Sequence, residues 1–188
     1  MGQLARRNPP LDVEEYLQAE QTSLVKHEFV GGEVYAMSGA SRRHNRIAGA
    51  TYARLLAAAG ADPCRVYMAD VKLRAARDIV YYPDVMVACG PETGDPYVED
   101  QPCLVVEVLS PSTEQIDRRE KLLVYKQIPS LRAYLIVSQE RRHVEYHQRD
   151  EQGAWWSTMF EGDGGLALPC PATELSLAEI YAGLDIPA

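Results

Sequence analysis

The sequence predicts an α/β chain whose core runs helix, three strands, helix, strand, and three observations carry that reading. Aliphatic runs of strand length recur at 79–89, at "LVVEVLS" (104–110) and at "LRAYLIVS" (131–138). A helix-periodic segment opens at Ser41, and a second follows "LVVEVLS". Turn-forming Gly, Pro and Asp residues separate these units, so helical and extended periods alternate along the chain.

Taken in order, "LDVEEYLQAE" predicts a short helix, with Asp12 as cap and Glu15 as its capping-box partner. "KHEFVGGEVYAMSG" reads as a hairpin turning at Gly31-Gly32. "SRRHNRIAGATYARLLAAAG" predicts the first core helix, capped by Ser41, apolar through Ile47, Leu55 and Leu56, and ended by Gly60. Strand-like runs follow at 64–74 and 79–89, and "GPETGDPYVEDQP" predicts a surface loop before "LVVEVLS". In "SPSTEQIDRREKLLVYKQIPS", Ser112 and Gln115 stand at capping-box spacing, and Pro129 closes the helix. "RRHVEYHQRD" and "WWSTMF" predict an antiparallel pair, "EGDGG" a turn, and "SLAEIYAGL" a last short helix. No repeat or linker interrupts the series, so we expect one domain over residues 1–188, with its core at roughly 41–138.

At 188 residues, 46% apolar and 24% charged, the chain can bury a substantial core. It has no apolar run of membrane-spanning length, and its opening "MGQLARRNPPLDVEEY" has no signal-like apolar segment. Cys64, Cys89, Cys103 and Cys170 are scattered without a Cys-x-x-Cys pair. That spacing reads as separate small thiols in a reducing cytoplasm and argues against a four-cysteine zinc site. The net charge of -8 counts against broad nucleic-acid affinity. It leaves room for a local basic groove built from Arg42, Arg43 and Arg46, or from Arg118, Arg119 and Lys121, clusters that otherwise read as solvated helix surface.

Glu107 is the anomaly. It sits inside an aliphatic run with Val106 and Val108 on one strand face and Val105 and Leu109 on its own, a pattern of a strand covered on both sides. A carboxylate there needs a counter-charge, a metal or a proton. Asp84, after Pro83 in "YYPDVMVAC", stands at the margin of another apolar strand. On neighbouring strands, ~4.8 Å apart, the two acids can grip one divalent cation. The plainer alternatives are a salt bridge for Glu107 and a turn position for Asp84.

These residues resemble the PD-(D/E)XK nuclease superfamily. More specifically, "YYPDVMV", "VVEVLSPST", "DRREKLLVYK", "YLIVS" and the earlier "HEFVGGEVYAMSGAS" with His44-Asn45 resemble the Uma-type family of restriction endonucleases, over nearly the whole chain. The resemblance implies a restriction-endonuclease-like fold: an αβββαβ core, a mixed central sheet flanked by helices, an N-terminal hairpin and a C-terminal antiparallel extension. It implies metal-assisted hydrolysis of DNA phosphodiesters, with Asp84 and Glu107 holding Mg²⁺ or Mn²⁺. It also implies a homodimer, as suits cutting both strands of a duplex.

One position departs from the superfamily pattern. Leu109 stands where a lysine is expected two residues after the glutamate, and the family resemblance moves that role to Lys121. Asp117 and Lys121 lie four apart, which by itself describes a surface ion pair. The resemblance also points to Glu33 as a further metal ligand and to His44 as a contact to phosphate or water; a cap-region histidine is the ordinary alternative. Asp70-Val71-Lys72 is a local D-x-K that precedes the Pro-Asp, and an ordinary amphipathic strand accounts for it equally. His143 and His147 alternate as in a strand, ~13 Å apart, too far to share a metal. Two further readings remain open: an inactive nuclease-fold module that binds nucleic acid or protein, and a hydrolase acting on another substrate.

Overall fold

The computed structural model describes residues 11–60, 63–92, 94–110 and 114–187. Ser112 and the side chain of Gln115, the expected capping pair, lie outside the described residues. In chain order the elements begin with α1 (Val13–Glu20), β1 (His27–Val30), β2 (Glu33–Ala36), α2 (Arg42–Ala59) and β3 (Arg65–Met68). They continue with β4 (Lys72–Ala76), β5 (Ile79–Tyr81), β6 (Val85–Ala88), β7 (Val98–Glu99) and β8 (Leu104–Val108). A helix follows in three parts: α3 (Glu114–Ile116), a π-helical turn (Asp117–Lys121) and α4 (Leu122–Tyr125). The chain closes with β9 (Ala133–Val137), β10 (His143–Arg149), β11 (Trp155–Glu161), β12 (Gly165–Pro169), β13 (Ala172–Ser176) and α5 (Leu177–Ile180).

The central sheet has the order β11-β10-β9-β8-β6-β3. It is mixed: β8 runs parallel to β9 and antiparallel to β6. The crossover from β8 to β9 carries the three-part helix, as a parallel pair requires. Leu104, Val106 and Val108 pack on one face with Ile47 and Leu55 of α2. Val105 and Leu109 pack on the other with Tyr125, Leu131 and Tyr134. Each fully buried aliphatic side chain contributes roughly 1.5–3 kcal/mol, so β8, buried on both faces, is strongly held in the sheet.

The strand-like runs at 64–74 and 79–89 are each divided between two sheets. Ala69, at φ 54°, breaks the first between β3 and β4. Pro83 and Asp84 break the second between β5 and β6. A left-handed residue turns the pleat, and proline has no ladder donor. The freed halves build a second sheet, ordered β2-β1-β5-β4-β7, that holds the N-terminal hairpin. Gly31 and Gly32, at φ 59° and 92°, turn that hairpin where a side chain would be strained.

The four cysteines do not stay apart. They meet at one end of the central sheet as the disulfides Cys64–Cys89 and Cys103–Cys170, correcting the expectation of separate thiols. Arg65 pairs with Ala88, so Cys64 faces Cys89 across the same two strands. Sequence spacing says nothing of such cross-strand neighbours.

Candidate active site

The register between β6 and β8 builds the site. Val85 pairs with Val106, so one step further along the antiparallel strands Asp84 faces Glu107 on the same side of the sheet. Their peptide groups tie them together. Asp84 Oδ2 accepts from the Val108 amide at 2.7 Å, and Glu107 Oε2 accepts from the Asp84 amide at 3.4 Å. Pro83 ends β5's run just before Asp84, whose carbonyl accepts from the Ala69 amide at 3.2 Å.

Lys121 comes from the π-helical turn and is buried among acids. Its ammonium lies 3.1 Å from Glu107, 2.9 Å from Glu28 and 3.4 Å from Asp117. It also stands 5.1 Å from the Tyr81 ring centroid. A π turn inserts a residue into an α-helix and changes which side chains share a face, and such turns are frequent at functional sites. Here it sets Asp117 and Lys121, both buried, toward β8. Tyr125, one turn on, donates its hydroxyl to Glu107 Oε1 at 2.8 Å.

His44, in the first turn of α2, places Nε2 3.2 Å from Asp84 Oδ2. Ser41 caps that helix by accepting from the His44 amide at 3.0 Å, which fixes the residue's position. Burial pushes the imidazole toward its neutral form, but hydrogen bonding and the charge of Asp84 outweigh it, and its pKa is raised. Burial pushes Glu107 up to about 8; the Lys121 ammonium pulls it down, and Asp117, Asp84 and Glu28 push it up again. Lys121 is itself held well above its usual range: burial opposes its charge, but the acids around it prevail. With at least three carboxylates around one ammonium, the cluster is short of positive charge.

The arrangement brings together Asp84, Glu107, Lys121 and His44. It does not bring Glu33 to them: that residue is exposed at the turn end of β2, and its carboxylate has no hydrogen-bond or ion-pair partner among the described residues. The acid the hairpin sends inward is Glu28, which also accepts from the Tyr82 amide at 3.4 Å. Glu28 alternates with Val30 on a core-facing side of β1, a pattern visible in "HEFV", but its partner lies across a sheet boundary. Asp70 is exposed and pairs with Lys26, whereas Lys72 is buried near the rings of Tyr82 and Tyr97, so the local D-x-K is not a unit. Among the described residues Asp84 Oδ1 has no protein partner, leaving one oxygen of a hard donor set open.

Comparison with known proteins bears on the family and the fold. The family model described as "Uma2: Putative restriction endonuclease" matches residues 13–180. Two uncharacterized proteins of Synechocystis sp. are each 34% identical to the chain. One, slr1290, aligns over 178 residues, 94% of either chain; the other, sll1609, covers 81% of this chain and 89% of its own. A crystal structure described as "a putative nuclease belonging to DUF820" from Anabaena variabilis superposes with a TM-score of 0.75 at 15% identity, over 92% of this chain and 98% of that one. At that identity the likeness speaks for the fold, which is restriction-endonuclease-like.

Proposed function

The chain belongs to the Uma2 family, and from that premise we propose that it is a divalent-metal-dependent endonuclease that hydrolyses phosphodiester bonds of DNA. The observation that carries the reading is the facing pair Asp84 and Glu107 with the Lys121 ammonium 3.1 Å from Glu107. The donor set fits a hard cation. Asp84 Oδ1 is open, Glu107 is a second carboxylate across the strand pair, and Mg²⁺ keeps several waters beside one or two such ligands. When bound, the cation supplies Lewis-acid polarisation of the phosphate and acidifies water.

The chain's own residues do the rest. His44 holds Asp84 Oδ2, which would leave Oδ1 as the oxygen to bind a cation. Tyr125 orients Glu107 through Oε1. Lys121, 3.1 Å from Glu107, would donate to the phosphate oxygens where negative charge builds. Glu28 is the hairpin's contribution, and Glu33 is left outside the site. A two-fold homodimer of such single-domain subunits presents one site to each strand of a duplex.

The test is plasmid cleavage with Mg²⁺ or Mn²⁺. Wild type should nick or cut supercoiled DNA, chelation should abolish cutting, and Ca²⁺ should support binding alone. If wild type and Glu107→Ala leave DNA equally intact across metals, the fold serves as a binding module instead. Leu109, buried where the superfamily places its lysine, is the observation that favours that second reading.

A further inference from the structure

At the opposite end of β6 and β8 from the acids, four cysteines from four separate segments converge. Cys64 precedes β3, Cys89 follows β6, Cys103 precedes β8 and Cys170 follows β12. Five residues of strand separate Asp84 from Cys89, roughly 17 Å at ~3.4 Å per residue, so this cluster shares nothing with the proposed nuclease site. Two disulfides that only staple a fold have no need to touch. Here Cys89 Sγ lies 3.3 Å from Cys103 Sγ, between the two bridges. The sulfurs of Cys89, Cys103 and Cys170 all lie within 4.8 Å of one another, and Cys64 is bonded to the first of them. All four cysteines line one open cavity of about 430 Å³, together with Arg132. Arg132 is exposed, and its guanidinium has no ion-pair partner among the described residues.

We propose that Cys64, Cys89, Cys103 and Cys170 form a tetrathiolate zinc site when reduced, and that the two disulfides are its oxidised, metal-free state. Zinc–sulfur bonds of about 2.3 Å set tetrahedral sulfur–sulfur edges of about 3.8 Å, which is the scale of the Cys89, Cys103 and Cys170 group, and Cys64, bonded to Cys89, supplies the fourth sulfur. Four soft thiolates select zinc over the hard cations that suit the carboxylate site. A tetrathiolate zinc centre carries two negative charges, and Arg132 stands in the same cavity to offset them. The cavity gives the ion a way in and an oxidant a way to the sulfurs.

The conversion balances with a peroxide as oxidant. Two thiolates give two electrons to one hydrogen peroxide, one S–S bond forms, and two protons from solvent complete two waters. A second peroxide oxidises the other pair, and the zinc ion leaves for water. Thiol reductants reopen both disulfides by exchange, becoming disulfides themselves, and the site refills when zinc is supplied.

The experiment uses the full-length protein, reduced under anaerobic conditions and titrated with Co²⁺ and then Zn²⁺. We expect one equivalent of Co²⁺ bound with thiolate-to-cobalt charge-transfer absorption, displaced by one equivalent of Zn²⁺. Hydrogen peroxide should release that zinc as two disulfides form. Glu107→Gln should keep the sulfur signature, which separates it from any cobalt on the carboxylates. Cys103→Ser should lose it while circular dichroism stays native; if that variant fails to fold, Cys64→Ser at the cavity rim puts the same question. The proposal is overturned if reduced wild type shows no thiolate-to-cobalt band. It is equally overturned if the folded serine variant binds Co²⁺ as wild type does, or if peroxide forms both disulfides without releasing metal. None of these results bears on DNA cleavage, so the two readings stand or fall separately.

Discussion

Glu107 and Lys121 are buried ionisable partners 3.1 Å apart. Removing one partner of a buried pair typically costs about 3–5 kcal/mol, because the other is left uncompensated. Lys121→Ala should lose stability on that scale in thermal unfolding and lose turnover, while calorimetry still shows cation binding. Unchanged cleavage by that variant would remove Lys121 from the mechanism. Glu107 makes a pH prediction. Burial pushes its carboxyl up to about 8 from the ordinary 4.5, so the folded state binds the proton more tightly than the unfolded chain. Its contribution to metal-free stability is therefore greatest below about pH 4.5 and is lost as pH rises through about 8, where the carboxylate must ionise in a buried place. Glu107→Gln abolishes that titration. At pH 8 to 9 the metal-free variant should melt above wild type by roughly 2–4 °C for each ~1 kcal/mol gained. It should also show no metal-dependent cleavage. A melting profile that falls just as steeply in the variant would show that Glu107 is not the group titrating. Both residues were legible in the sequence, Glu107 because a charge in an aliphatic run is costly, Lys121 through the family resemblance. Glu28 was not, because its contact with Lys121 joins a hairpin to a helix over long range.

Among the elements, alternation and caps were readable and sheet membership was not. Asp12 with Glu15, Ser41, and the Gly31-Gly32 turn all act through local hydrogen bonds or local dihedrals, and the structure has them where the sequence puts them. The division of 64–74 and 79–89 between two sheets turns on Ala69 and Pro83, and only tertiary packing decides that each half finds a different partner. The π turn is equally silent, since Asp117 and Lys121 at a spacing of four fit an ordinary α-helix. Its role is testable by length. Deleting Arg119, which is exposed and has no ion pair among the described residues, restores α periodicity and rotates one side of the turn by about 100° relative to the other. Tyr125 is anchored in the core, so Asp117 and Lys121 can no longer both meet β8. Cleavage should drop ~100-fold or more with helical circular dichroism retained, whereas Arg119→Ala, which keeps the spacing, should cleave within a few-fold of wild type at low salt. A deletion variant as active as Arg119→Ala would show that the π turn is incidental.

For the whole molecule the net charge of -8 sets the terms on which it meets a polyanion. Of the arginines flanking the site in sequence, most are already committed. Arg43 binds the Gln139 carbonyl and Glu140, Arg46 the Gly183 carbonyl, and Arg118 both Glu114 and Glu145. Arg42 and Arg119 are exposed without ion-pair partners among the described residues. Arg42 opens the helix that carries His44, and Arg119 sits two residues before Lys121, so both are exposed residues close in sequence to the proposed site and able to take phosphates. A duplex contact of this kind releases counterions, and each neutralised phosphate adds about 0.9 to the slope of log affinity against log salt. With an acidic body around a small basic patch, binding should be weak and should fade steeply as salt rises. Replacing Arg42 and Arg119 together by glutamine should weaken duplex binding at every sequence and lower that slope by about two. Metal titration of the same variant should match wild type, since neither residue touches the carboxylates. Fluorescence anisotropy across a salt series reads both quantities at once. A slope left unchanged would mean that DNA approaches over another face, and the committed arginines, Arg118 first, would then be the ones to free.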